Sequence, residues 1–159
     1  MSNPQPIADQ HSAAACRASR HTRVQHLITA DESSLAELEA LLATLPICST
    51  GRVFVEIPDA AWQADIVVPG RMIVTWLDRS LRSGDPGSGR GCAPGQALAR
   101  AVTAWADEVL CDEGDDETRI HLLGGYLGTA DIVDHLTSRR SIPADSIHTP
   151  AQYGLATAR

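Results

Sequence analysis

Three glycines, Gly124, Gly125 and Gly128, separate the aliphatic run Arg119 to Leu123 from a helical pattern. That arrangement can set a helix dipole and open backbone N–H groups beside an anionic ligand. It equally suits a sharp strand-to-helix turn that binds nothing. A second junction of this kind, Thr29 to Ser34, carries Asp31, Glu32 and Ser33 and no glycine. A dinucleotide pyrophosphate needs glycines for close approach, and two carboxylates repel it. Asp31 also has the simpler role of a helix N-cap. Local positive charge comes from Arg79, which closes the run VTWLDR, with Arg82 and Arg90 on the loop that follows. The Arg79 guanidinium has the geometry to hold a phosphate or carboxylate bidentately; the alternative is that it stays solvated and unpaired.

Other chemistries find little support. The histidines are dispersed, and only Asp131 with His135 has the i, i+4 spacing that two metal ligands on a helix require, with no third ligand evident. A helix-surface pair is the simpler reading. His26 and His121 are expected on adjacent strands as core residues with satisfied nitrogens. Cys16, Cys48, Cys92 and Cys111 are widely spaced, without a C-x-x-C pair, and read as reduced thiols. Neither a Walker motif nor a G-x-S-x-G elbow is present, so the chain offers no catalytic or metal-binding set of its own.

The elements that must position these residues follow from hydrophobic period. Val24 to Thr29, Arg52 to Ile57, Arg71 to Leu77 and Arg119 to Leu123 read as strands, with a short fifth near Ser146 to His148. Leu35, Leu38, Leu41, Leu42 and Leu45 form one helical stripe, closed by Pro46 and opened by a capping box of Ser34 and Glu37. Leu98, Val102, Trp105 and Val109 mark a second helix, and Ile132, Val133 and Leu136 a third from about Thr129 to Arg139. The segment Arg79 to Gly95 is a glycine-rich, flexible connection, and Asp112 to Glu117 an acidic, solvated loop. Strands alternating with helices predict an α/β fold, a three-layer Rossmann-like domain with a five-stranded parallel sheet of order 3-2-1-4-5. Such sheets bind ligands beyond the carboxyl ends of their strands, which directs attention to Thr29–Ser34, Trp76–Arg82 and Gly124–Gly128.

Composition bounds the rest. With 159 residues the chain fits one domain; residues 1–22 are expected as a disordered tail, 23–153 as the domain and 154–159 as a second tail. A formal net charge of −7 argues against nucleic acid as a partner. No apolar stretch is long enough for membrane insertion and no secretory signal is present, so a cytoplasmic location is expected.

Three segments, RVFVEIPDAAWQ (52–63), VTWLDR (74–79) and DHLTSRRSIPADSI (134–147), resemble the C-terminal domain of siderophore-interacting proteins, and LITADESSL resembles that family's G-D-E-T-A-L-P turn. The likeness runs from about Val24 to Tyr153. It implies a ferredoxin-reductase-like nicotinamide module that takes NADPH or NADH and passes hydride to a flavin, which then reduces the iron of a ferric siderophore in bacterial iron acquisition. The flavin-binding β-barrel of that family has no room in front of Val24, so FAD is expected only through a separate, separately encoded partner domain. The resemblance and the edge rule together put Thr29, Asp31, Glu32, Ser33, Arg79, Gly124, Gly125 and Tyr126 in the expected nucleotide site. Departures accompany it: Gly125 stands where the family has an acid, Asp78 where it has His, and Ala151-Gln152-Tyr153 where it has G-Y-W. A non-catalytic binding or regulatory module that has lost nucleotide affinity is the alternative, implied by the first turn without a glycine, by Gly125 in place of an acid and by the missing barrel.

Overall fold

The computed structural model describes residues 24–110 and 117–155. Its sheet has five parallel strands, β1 (Val24–Asp31), β2 (Thr50–Ile57), β3 (Arg71–Asp78), β4 (Glu117–Leu122) and β5 (Ile147–His148), in the order β3-β2-β1-β4-β5. The expected strand order holds. β1 is the central strand because four successive residues, Leu27 to Ala30, have no solvent exposure on either face. Such a strand must be covered twice.

Helix α1 (Leu35–Thr44) covers one face, where its Leu38 and Leu42 meet Ile28, Ala30, Val53 and Val55. Helices α2 (Gln96–Val109) and α3 (Tyr126–Arg139) cover the other, packing Leu98, Val102, Ile132 and Leu136 over Leu27, Ile120 and Leu122. Trp105 adds an edge-on ring contact with Phe54, centroids 6.1 Å apart. The chain runs outward from β1 to β3, then crosses back to β4 on the other side of β1. The first two connections leave in one direction and the later ones in the other, so a crevice opens between the carboxyl ends of β1 and β4.

Several boundaries differ from the sequence reading. β1 runs two residues further, because Ala30 and Asp31 continue the ladder opposite Val55 and Glu56. Asp31 is therefore a strand residue and not the N-cap of α1; that position belongs to Ser34, which makes no side-chain cap. The expected capping box does not form, since the Ser34 hydroxyl instead accepts the Asp31 N–H at 3.0 Å. α3 begins at Tyr126, three residues before the expected start, directly after the glycine turn. The segment after Arg79 carries a 3₁₀ turn (Arg79–Leu81) and an antiparallel bridge between Ser83 and Gly91. The expected tail over 1–22 lies outside the described residues, as do all of the acidic run but Glu117 and the end of the expected C-terminal tail beyond Leu155.

Candidate functional site at the carboxyl edge of the sheet

The turn after β4 delivers Gly124 and Gly125 to the end of β1. There the Gly125 N–H, at the head of α3, donates to Asp31 Oδ2 at 2.6 Å. The other carboxylate oxygen accepts from Ser33 N–H at 3.0 Å, Ser33 Oγ at 2.6 Å and Ser34 Oγ at 3.1 Å. Asp31 thus ties the β1–α1 turn to the N-terminus of α3, and occupies with its own charge the place where a helix attracts an anion. Leu123 N–H donates to Thr29 O, which fixes the β4 turn on β1, while the Thr129 hydroxyl donates to Gly124 O.

A cleft of about 190 Å³ lies over this junction, lined by Asp31, Pro94, Gly95, Gly125, Tyr126, Leu127 and Gly128. Its rim is aromatic and apolar: Tyr126 is 50% and Leu127 70% exposed, and Tyr126 meets Tyr153 edge-on with ring centroids 5.5 Å apart. Gly95 and Gly128 form its floor, where the N-terminal ends of α2 and α3 touch through backbone. A Cβ on Gly128 would lie 2.9 Å from the Gly95 Cα, and Gly95 itself has φ +87°. The third glycine of the G-G-x-x-G pattern is thus required by helix packing.

Arg79 is neither solvated nor open to a ligand. Its guanidinium holds Glu32 bidentately, at 2.7 and 3.2 Å, and Glu56 Oε1 at 3.0 Å. The Glu32 bond raises its pKa most, against burial, and the Glu56 bond adds to the rise, so the cation is permanent. Glu56 is fully buried and accepts the Gly95 N–H at 2.7 Å and the Leu98 N–H at 2.8 Å. Its carboxylate therefore fills the N-terminus of α2 as Asp31 fills that of α3. Sequence reading left Glu56 out of the site. Its signal was a lone carboxylate in a strand that is otherwise apolar on both faces, which demands a partner.

Of the eight expected site residues, the structure gathers Asp31, Gly125 and Tyr126 around the cleft, with Gly124 behind them and Ser33 bound to Asp31. Glu32 and Arg79 join each other through the ion pair and reach the cleft by way of Glu56 and Gly95. Thr29 is fully buried and offers no surface to a ligand. Asp131 and His135 do not act together: His135 Nε2 lies 2.8 Å from Asp107 on α2. Among the described residues there is no group of three or more metal-ligating side chains, and no helix is long and apolar enough to cross a membrane.

A pyridine nucleotide fits this edge in part. The exposed Tyr126 and Leu127 suit a planar ring, whereas the Gly125 N–H and the Arg79 guanidinium, the groups suited to its phosphates, are already engaged by carboxylates.

The fold and this edge define a Rossmann-like α/β domain. The family model for siderophore-interacting proteins matches residues 24–150, and the chain belongs to that family. Two solved structures share the fold. The siderophore-interacting protein SipS from Aeromonas hydrophila matches with a TM-score of 0.57 and 13% identity, over 80% of this chain and 50% of that one. A siderophore utilization protein from T. fusca matches with a TM-score of 0.56 and 21% identity, over 79% of this chain and 42% of that one. The chain spans half or less of the length of these structures.

Proposed function

We propose that this domain is the pyridine-nucleotide-binding half of a flavin-dependent ferric-siderophore reductase system. NADPH or NADH is its ligand, FAD is carried by a separate β-barrel partner, and the ferric siderophore is reached only through that flavin. Family membership supports the siderophore context. The observation that carries the nucleotide reading is the position of the cleft, at the β1–β4 crossover, beside the N-terminus of α3 and the exposed ring of Tyr126. With its phosphate-binding groups occupied, the site is expected to bind nucleotide weakly, with Kd on the order of 0.1–1 mM, or about −4 to −5.5 kcal/mol.

A second reading has an observation of its own. Asp31 on the Gly125 N–H and the closed Arg79 triad suit a domain that keeps the fold as a binding or regulatory module without nucleotide. Calorimetric titration of the purified chain with NADPH and NADH at low salt, together with thermal shift, separates the two. Saturable binding supports the first. Binding by Asp31→Asn alone supports the second, and no binding by either protein at millimolar nucleotide removes the nucleotide reading altogether.

A further inference from the structure

The imidazoles of His121 and His148 stack face to face on the last two strands, with ring centroids 4.6 Å apart and planes 13° from parallel. The pairing is set by register, since His121 lies opposite His148 in the β4–β5 ladder and opposite Ile28 in the β1–β4 ladder. Ile28 packs toward α1, so the two rings share the α1 side of the sheet with His26 and with Arg119, its ladder partner. Among the described residues, the charged and titratable groups acting on His121 are His148 from β5, His26 from β1 and Arg119 from β4, all of them cationic or able to become so. The carboxylate next to them, Glu117, is bound to Arg119 at 2.9 Å.

β5 is only two residues long and forms the edge of the sheet. Short edge ladders lie at the low end of local stability. Two residues after β5 comes the 3₁₀ turn Ala151–Tyr153, and Tyr153 supports Tyr126 at the rim of the cleft. The ring stack therefore sits five residues before Tyr153, whose ring contacts Tyr126 of the cleft lining.

We propose that the His121–His148 stack is a proton-operated latch: protonation of the pair parts β5 from β4 and draws Tyr153 away from Tyr126, opening the cleft at Gly125. Two cations face to face repel each other, and among the described residues the carboxylate nearest the pair, Glu117, is already bound to Arg119. Burial, then repulsion from His148, His26 and Arg119, lowers the His121 pKa from 6.5 to about 4. A group depressed in the closed form stabilises that form above 6.5, and this contribution is lost as pH falls toward 4. The latch requires no ligand and stands whether or not nucleotide binds.

Amide hydrogen exchange of the full chain at pH 7.5 and pH 5, corrected for intrinsic rates, tests it. Protection at Ile147 and His148 is expected to fall about tenfold, and the ring contact of Tyr126 with Tyr153, followed by NMR, to weaken in step. Protection in β2 at Val53–Val55 should not change. His148→Phe keeps a ring at an exposed position, removes one imidazole of the pair and should cut the pH effect at least threefold. An unchanged edge at pH 5, an equal loss in β2, or a full effect in His148→Phe each overturns the latch.

Discussion

The Asp31 carboxylate lies 2.6 Å from the Gly125 amide and spans the crevice between β1 and α3. An incoming phosphate must compete with it for the same N–H groups and against its charge. Asp31→Asn removes the charge and retains an acceptor for the Ser33 and Ser34 hydrogen bonds. We expect it to tighten NADPH or inorganic pyrophosphate binding about tenfold, about 1.4 kcal/mol, at low salt. It should cost about 1–3 kcal/mol of stability, because the amide nitrogen that replaces Oδ2 cannot accept the Gly125 N–H and that bond is lost. Calorimetry and urea unfolding on the same preparations measure both effects, and unchanged affinity would remove Asp31 as the obstacle.

Glu56 is a second self-supplied anion, and its role is structural. Its carboxylate, 1% exposed, joins β2 to the head of α2 through two backbone N–H groups and to the end of β3 through Arg79. Glu56→Ala leaves Arg79 with Glu32 as its one carboxylate partner and the buried Gly95 and Leu98 amides unmatched. A loss of about 3–5 kcal/mol is expected, the range for breaking a buried pair from one side. In a cycle with Arg79→Met the two losses should fall short of additivity by about 1–3 kcal/mol. Additive losses measured by chemical unfolding would mean that the pair does not act as a unit.

The strands and their order were legible because continuous apolar runs such as Val53 to Val55 and Leu27 to Ile28 admit few other readings, and the helix stripes indicated which strands needed cover. Boundaries were less so. Asp31 looked like a cap from its type, but parallel pairing opposite Glu56 held it in the strand, a tertiary effect that no local window contains. Tyr126 and Leu127 read as a loop because two glycines precede and one follows, although Gly128 is inside α3. The Arg79 triad joins Glu32, Glu56 and Arg79 from three separate segments, and the Glu56 to Gly95 bond spans 39 residues. Its only local trace is a carboxylate among buried aliphatics. The acidic turn Asp31-Glu32 and the basic Arg79 were both recognised as site residues; that Arg79 pairs with Glu32 and Glu56 while Asp31 turns to Gly125 follows only from the fold.

The Gly95–Gly128 contact yields a prediction about α2 and α3. A methyl at 128 would sit 2.9 Å from the Gly95 Cα and 3.0 Å from the Gly95 carbonyl oxygen, both of them backbone atoms that cannot rotate away. Gly95 is itself held by its N–H bond to Glu56, so relief by moving the turn would disturb the buried triad. Gly128→Ala gains up to about 1 kcal/mol of helix propensity, but overpacking of this kind costs about 1–3 kcal/mol, and the steric cost should win. The expected outcome is a net loss of about 1–2 kcal/mol in urea unfolding, with a weaker Glu56 to Gly95 hydrogen bond read as faster exchange of the Gly95 amide. Gly91→Ala serves as the comparison, because nothing lies within 4 Å of its added carbon and its φ is not in the left-handed region; it should stay within about 0.5 kcal/mol of the parent. If the two variants are equally stable, helix propensity has outweighed the clash and the close approach of α2 and α3 is soft enough to yield.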